Sequence, residues 1–171
     1  MTQNFQHWRL TIGGPKKKRK IEARQRIDQK SQINMRGFVE PLTGKCGKIY
    51  VVLGNRSKKI LYVGISFQPI SSRLRGGLQA SGKGGYSGYK WKNKNAVELL
   101  VWSFPQDPPS KAKLVTRDKL EAIEGEVVFL IRKCLKHWPF CQNEIHFHEA
   151  NDRGEKTAKR ILDDVKRCKG K

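Results

Sequence analysis

Two short apolar runs, residues 48–53 and 60–65, are rich in β-branched and aromatic side chains, which favour β-strands. Residues 54–59 between them have the glycine, asparagine and serine content of a turn, so the pattern predicts a β-hairpin. A third apolar run, residues 96–104, ends at the proline-rich segment 105–110 and predicts a further, largely buried strand.

Apolar positions with helical spacing mark three more segments. Pro69 suits the first turn of a short helix, because its fixed φ angle fits that position. A long helix is predicted from about residue 116 to residue 135. A last helix, capped by Asn151 or Asp152, is expected to reach about Cys168.

The order of these elements defines the fold class. Residues 76–88 are rich in glycine and predict a loop, but no phosphate-binding fingerprint follows a strand there. Residues 143–148 are expected to form a short strand or loop. The order predicts an α/β (α+β) domain with a three-stranded antiparallel sheet flanked by helices. The chain of 171 residues has room for one such domain, assigned to residues 37–171, and a tail.

The first 36 residues are strongly basic and predict an N-terminal arm. Ten bases minus two acids give this segment a charge of +8. Residues 13–15 (Gly-Gly-Pro) break any helix, and a basic helix with few apolar anchors is expected from Pro15 to about Met35. The arm is expected to grasp DNA, or else to be a solvated tail. The run that would contact nucleic acid, which is also similar to a nuclear import signal, consists of Lys16, Lys17, Lys18, Arg19 and Lys20.

The net charge of +21 predicts a polyanionic partner, because neutralising phosphates releases counterions. On charge alone, a protein that only coats nucleic acid stays an alternative to an enzyme. A membrane surface is disfavoured, since the bases are spread over the whole chain. No apolar run approaches a membrane span and no secretory segment follows the N-terminus. A cytoplasmic, nucleoid-associated protein is therefore expected, with a nuclear location left open.

The four cysteines form no CxxC pair, and a chain without a leader is expected to keep its thiols reduced. Cysteine and histidine residues lie close together between positions 134 and 148, which raises the alternative of a zinc site. Their spacing fits no compact zinc pattern, so we favour free or core thiols. His146 and His148 alternate along a predicted strand, which favours a shared, solvent-facing side.

One carboxylate lies on the apolar side of the predicted long helix. Steps of about 100° per residue place Glu124 inside the apolar stripe, with Glu121 at its flank and Glu126 closer to the polar side. A carboxylate on the core side of a helix is costly unless it meets a cation or a metal ion. This position marks Glu124 as a metal ligand or as half of a structural ion pair.

Two tyrosine triplets stand in the predicted hairpin. Lys48-Ile49-Tyr50 begins its first strand, and Tyr62-Val63-Gly64 lies in the second, with the tyrosines 12 positions apart. Arg73 follows Tyr62 by 11 positions on the predicted short helix. In these features the chain resembles the GIY-YIG nuclease superfamily.

The resemblance covers roughly residues 46–148 and assigns further positions. Glu124 stands for the helical glutamate that holds the metal ion, with Glu126 as a rival, and Arg75 is a rival of Arg73. Asn143, after a Trp-Pro pair, stands for the asparagine of the closing segment. The chain departs from the family where Lys48 replaces the first glycine, and where the segment from Glu124 to Asn143 is longer than in compact members.

The resemblance implies metal-dependent hydrolysis of a DNA phosphodiester bond. Glu124 would bind one Mg²⁺ or Mn²⁺ ion, which takes oxygen ligands and keeps several waters. Tyr50 would act as general base on the attacking water or orient it, and Arg73 would supply the positive charge that a tyrosine base needs. Tyr62 would position the water or the phosphate, and Asn143 would brace the group.

The kind of nuclease is less narrowly determined. A restriction-type, sequence-selective endonuclease would need two active sites to cut both strands, hence a homo-oligomer. The alternatives are a structure-specific repair or recombination nuclease, and a non-catalytic nucleic-acid-binding protein on the same fold. Further DNA contacts are expected from Arg75, Tyr86, Tyr89 and Lys90, although the tyrosines serve equally well as core residues.

Overall fold

A six-stranded antiparallel sheet and three α-helices form the part of the chain that the computed structural model describes. That part comprises residues 4–15, 18–27, 33–81, 88–104, 115–142, 145 and 148–170. The strands are β1 (Asn4–Gly13), β2 (Lys20–Arg26), β3 (Ile33–Met35), β4 (Gly47–Gly54), β5 (Ile60–Ser66) and β6 (Ala96–Phe104). The helices are α1 (Ile70–Gln79), α2 (Arg117–Leu135) and α3 (Asp152–Lys169).

The predicted hairpin, third strand and three helices are confirmed as β4, β5, β6, α1, α2 and α3. In the sheet the strand order is β3-β2-β1-β6-β4-β5, so the three predicted strands form one half. Asn151 is the residue that caps α3, since its side chain accepts a hydrogen bond from the main-chain N–H of Gly154 at 3.0 Å.

The predicted α+β class is confirmed, but the sheet has six strands rather than three. The segment from Pro15 to Met35, for which the sequence allowed a basic helix, contains β2 and β3 instead. The segment 1–36, expected to be an arm, contributes β1, β2 and β3, and β1 pairs with β6 from Asn4 to Thr11. The physical reason is an alternation of apolar and polar residues in β1. Trp8, Leu10 and Ile12 point to one side and are buried there. The sheet therefore crosses the boundary expected at residue 36.

The sheet has an apolar layer on each side. One layer, the α2–α3 face, joins α2 and α3 to side chains such as Ile49, Val51 and Trp102. The other, the α1 face, joins α1 to residues such as Trp8, Tyr50 and Leu99. Every residue of β4 is buried, which explains why its sequence is a nearly continuous apolar run rather than an alternating one. No helix within the described residues is long and apolar enough to cross a bilayer.

A buried carboxylate on β6 ties the N-terminal strand to the hairpin turn. The ammonium group of Lys58 donates to Oε1 and Oε2 of Glu98 at 2.7 and 2.8 Å, and Nε2 of His7 lies 3.2 Å from Oε2. Burial alone would raise the pKa of Glu98, but the hydrogen bonds from His7 and Lys58 outweigh it and lower this pKa below its ordinary value. Glu98 is therefore charged in the folded chain at neutral pH.

Replacing Glu98 by alanine is expected to lower the free energy of unfolding by about 3 kcal/mol at neutral pH, because it leaves the Lys58 charge without its partner. Since the folded pKa of Glu98 lies below the ordinary 4.5, its contribution is present above about pH 4.5 and is lost as the pH falls through the folded pKa. Urea unfolding at about pH 7 and about pH 3.5 should show the wild-type advantage shrinking in acid. Glu149→Ala, at an exposed position, is the control; an advantage that does not change with pH would contradict the assignment.

Candidate active site

The hairpin of β4 and β5 places Tyr50 and Tyr62 on the α1 face. Tyr50 is completely buried (0% exposed) and lies opposite Gly64 in the register of the two strands. A Cβ atom on Gly64 would lie 2.7 Å from Cζ and Oη of Tyr50 and 2.6 Å from the ring of Tyr62. The glycine therefore makes room for both rings, whose centroids are 6.0 Å apart.

Helix α1 brings Arg73 to Tyr50. The Nε–H group of Arg73 donates to the Tyr50 hydroxyl at 3.2 Å. Arg75 is exposed, and a separation of two residues puts it on roughly the opposite side of the helix. Of the two arginines that the sequence left open, Arg73 is thus the one that the fold joins to a tyrosine.

A third tyrosine, Tyr89, completes this arrangement. Tyr89 is 3% exposed, and its ring lies so close to Gly77 of α1 that any Cβ atom there would overlap it. The Tyr89 hydroxyl lies 3.0 Å from that of Tyr50 and donates to the main-chain oxygen of Arg73 at 3.4 Å. All three hydrogen bonds are satisfied together only if Tyr50 donates to Tyr89 and accepts from Arg73. We call these three residues the tyrosine–arginine circuit.

Burial sets the protonation states in the circuit. Burial raises the pKa of Tyr50 well above its ordinary value of 10.0; Tyr89 adds to this effect and Arg73 opposes it. Burial alone would lower the pKa of Arg73, but Tyr50 and then Tyr89 outweigh it and raise that pKa. At neutral pH the circuit therefore holds a neutral phenol, Tyr50, against a permanently charged guanidinium group.

Glu124 approaches the same end of the sheet from α2 and is 7% exposed. Burial first, and the charge of Glu121 second, raise the pKa of Glu124 to about 7, whereas the positive charges of Arg73 and Arg117 act in the opposite direction. Helices from opposite faces of the sheet thus bring Glu124 and Arg73 within electrostatic reach of each other. Among the described residues, no hydrogen bond or ion pair reaches the Glu124 carboxylate. Its rival Glu126 is partly exposed.

A cleft of about 210 Å³ opens at the end of β5 and is lined by residues 65–68, Arg73 and Arg117. We call it the arginine cleft. Arg117 is the first residue of α2, so the positive end of the helix dipole lies beside this cleft. Two guanidinium groups and a helix N-terminus suit the binding of an anion such as phosphate.

Three further metal-ligating groups lie next to the site. The ligand atoms of Asp118, Glu121 and His148 are all within 4.8 Å of one another. Glu121 already has two partners, because it accepts from Nε of Arg117 at 2.7 Å and lies 3.0 Å from Nε2 of His148. Glu124 follows Glu121 by three residues on the same side of α2 and has no such partner in the described part of the chain. Its carboxylate is the hard oxygen ligand that Mg²⁺ and Mn²⁺ prefer, so it fits a divalent ion.

The zinc alternative receives no support from the described residues. None of the four cysteines forms a disulfide; Cys134 is exposed and the other three are partly buried. The metal-ligating group found among the described residues contains no cysteine. His148, expected to face solvent, is exposed but also contacts Glu121.

No protein-family model matches the chain. No curated protein and no solved structure matches it either. Function must therefore be inferred from the geometry and chemistry of the site itself.

Several predicted site residues lie outside the described residues, namely Lys16, Lys17, Tyr86 and Asn143. Among the others, Lys18, Lys20, Arg75 and Lys90 are exposed and Arg19 is partly buried, so each remains a candidate for DNA contact. For Tyr89, the geometry favours the alternative of a core residue. Its ring is buried and stacks on Trp91, with centroids 4.5 Å apart and planes 14° apart.

The roles of two residues at or near the site, Lys48 and Arg117, were not predicted from the sequence. Lys48, which replaces the first glycine of the family pattern, is fully buried and donates to the main-chain oxygens of Gly44, Cys46 and Gln68 at 2.6, 2.9 and 3.2 Å. It thereby ties the loop before β4 to the segment that enters α1. Arg117 looked like one of many surface bases, and its position at the start of α2 was the only signal for its role.

Proposed function

We propose that this chain is a metal-dependent endonuclease of the GIY-YIG type that hydrolyses DNA phosphodiester bonds. The observation that carries the proposal is the convergence of three features at one end of β5. These are the partly buried hydrogen bond from Arg73 to Tyr50, the buried carboxylate of Glu124, and the arginine cleft. The cleft is lined by Arg73 and Arg117, the two cations whose charge acts on Glu124. A pKa moved by burial at a cleft is typical of catalytic groups.

The arginine cleft is the proposed seat of the scissile phosphate. Arg73 and Arg117 would hold its non-bridging oxygens and offset the negative charge that grows on them during attack. Tyr50 keeps the Arg73 guanidinium in place, and because its hydroxyl is buried and engaged, we assign it a positioning role in preference to that of a base. Tyr62 lies beside Tyr50, with ring centroids 6.0 Å apart.

Glu124 would hold a Mg²⁺ or Mn²⁺ ion, which supplies Lewis-acid stabilisation to the leaving oxygen when bound. To do so, Glu124 must first lose the proton that burial favours. The net charge of +21 supports a DNA substrate, because it attracts a polyanion over the whole surface. If the enzyme is of the restriction type and cuts both strands, a homo-oligomer with two such sites is the expected form.

The direct test is cleavage of supercoiled plasmid and of branched or flapped duplexes with Mg²⁺, Mn²⁺ or EDTA. Wild-type protein is expected to cut only with metal, and Tyr50→Phe, which removes the anchor of Arg73, is expected to be at least about 100-fold slower. Glu155→Gln on the exposed side of α3 serves as the control.

The pattern of products distinguishes the alternatives. Discrete plasmid fragments would support a restriction-type enzyme, whereas cuts confined to branched DNA would support a repair or recombination nuclease. Tight, salt-sensitive binding without cleavage of any substrate would overturn the enzyme and leave a nucleic-acid-binding protein.

A further inference from the structure

A second basic cleft lies between β2 and α1, on the other side of α1 from Arg73. Its volume is about 210 Å³, and none of the described residues that line it is a carboxylate. We call it the β2 cleft. The groups able to donate hydrogen bonds into it belong to Arg19, Lys20, Arg24, Ser71, Arg75 and Gln79.

Two donors at this cleft are buried without an acceptor. The Nε atoms of Arg19 and Arg24 are inaccessible to solvent and have no hydrogen-bond partner in the described part of the protein. Arg24 is nevertheless held in position, because one of its terminal nitrogens donates to the main-chain oxygen of Arg36 at 3.4 Å and its guanidinium lies 5.3 Å from the ring centre of Phe38. Buried donors are normally satisfied, so these two point to an acceptor that comes from a ligand.

The chemistry of the β2 cleft selects an oxyanion. Three guanidinium groups and one ammonium group lie around it with a hydroxyl and an amide, which together suit the several oxygens of a phosphate group. Burial lowers the pKa of Arg24 below its ordinary value, because a guanidinium group taken out of water is costly to keep charged. A bound anion would offset that cost.

The position of the β2 cleft relates it to the arginine cleft. At about 100° per residue, Ser71 and Arg75 face one side of α1 and Arg73 faces the other. A helix is about 10 Å across, so the two clefts are separated by about the width of one helix, a span that a few nucleotides of one strand can bridge. One nucleic-acid strand that crosses α1 can therefore occupy both.

We propose that the β2 cleft binds a backbone phosphate of the DNA strand a few nucleotides from the bond cleaved at the arginine cleft. This inference rests on the proposed nuclease function. It gives a role to the N-terminal strands, which lie outside the β4–β6 half of the sheet that carries the tyrosine triplets. Strand β2 would then help to position the DNA strand along the protein, without taking part in the cleavage reaction itself.

The test compares two double variants that each remove two positive charges. Binding of a labelled duplex is measured in EDTA over a range of KCl concentrations. Arg24→Gln with Arg75→Gln is expected to weaken binding at least about tenfold and to reduce the slope of log K against log salt by about one. Lys156→Gln with Arg160→Gln, on the exposed side of α3, is expected to change affinity less than about threefold. Equal losses in both variants would mean that only bulk charge matters and would overturn the proposal.

Inorganic phosphate separates the β2 cleft from the nuclease proposal. Phosphate at constant ionic strength is expected to raise the unfolding temperature of the wild-type chain and of the α3 variant by the same amount. The rise should be smaller in the Arg24→Gln, Arg75→Gln variant, which keeps only the arginine cleft. If this response occurs but the chain neither binds nor cleaves DNA, the nuclease function fails and the cleft serves a small phosphorylated ligand. If phosphate has no selective effect and the DNA slopes agree, the β2 cleft is not a phosphate site.

Discussion

Replacing Glu124 by glutamine is expected to abolish metal-dependent DNA cleavage while making the fold more stable at alkaline pH. The two effects have one origin, the charged form of Glu124. This carboxylate is suited to hold a metal ion, but its burial on the apolar side of α2 destabilises the fold when it is charged. The neutral amide keeps the shape of the side chain but cannot neutralise a cation. If a divalent ion supplies several kcal/mol to the transition state, the loss of rate should be about 1,000-fold or more.

The effect on stability has a definite sign. Since the folded pKa of Glu124 is about 7 and the ordinary value is 4.5, the folded chain binds the proton more tightly than the unfolded chain. The stability linked to this proton is complete below about pH 4.5 and is lost as the pH rises through about 7. At about pH 8 the glutamine variant should therefore gain about 3 kcal/mol over wild type, and at about pH 4.5 almost nothing.

The metal ion and the proton compete for the same carboxylate. The affinity of the wild-type chain for Mn²⁺, titrated without DNA, should rise between about pH 6 and about pH 8 and then level off. Glu126→Gln, which changes the rival carboxylate two residues further along α2, is the matched control and should keep both cleavage and the pH dependence of stability. Full cleavage by Glu124→Gln would contradict the assignment, and loss only in Glu126→Gln would transfer the role to Glu126.

Local periodicity was sufficient to predict one half of the fold. Two short apolar runs separated by turn residues mark the hairpin of β4 and β5, and a helical repeat of apolar residues marks α2, so the existence of these elements follows from the pattern alone. The position of Glu124 within the apolar stripe of α2 could be predicted for the same reason, and its burial is what raises its pKa.

The other half of the sheet, strands β1, β2 and β3, could not be predicted from local sequence patterns. In the first 36 residues, the apolar alternation of β1 is surrounded by many bases, which made the segment read as an appendage. The partner of β1 is β6, about 90 residues away, and no local signal indicates such a pairing. The basic composition of this segment therefore hid the short strand pattern of β1, which forms a strand because it pairs with β6.

The tyrosine–arginine circuit shows a second limit of sequence reasoning. The sequence placed Tyr50 and Arg73 near each other by order along the chain, but it did not indicate that Tyr89 would join them. That contact requires Gly77, because the Tyr89 ring occupies the space of its missing side chain. In a sequence, a glycine within a helix indicates only a weak helix former. That Gly77 makes room for a ring can be seen only when the positions of α1 and Tyr89 are both known.

Replacing Gly64 by alanine is expected to damage the site more than its size suggests. The added methyl carbon would lie 2.7 Å from the Tyr50 hydroxyl oxygen and 2.6 Å from the Tyr62 ring. Both rings are confined, Tyr50 by complete burial and Tyr62 by its packing against Tyr89, with centroids 5.4 Å apart. Overpacking of this kind costs about 1–3 kcal/mol, and that loss of stability is the first expected result.

The second expected result of Gly64→Ala is a loss of cleavage of about 100-fold, because the shift of Tyr50 moves the Arg73 guanidinium that it holds. Gly76→Ala is the matched control. Gly76 lies on α1 with open space around it, so alanine there should stabilise the helix by about 0.5–1 kcal/mol and leave cleavage unchanged. Urea unfolding and plasmid cleavage of both variants measure the two effects. If Gly64→Ala loses stability but keeps full activity, the circuit does not position Arg73 for catalysis, and the glycine of the second triplet serves packing alone.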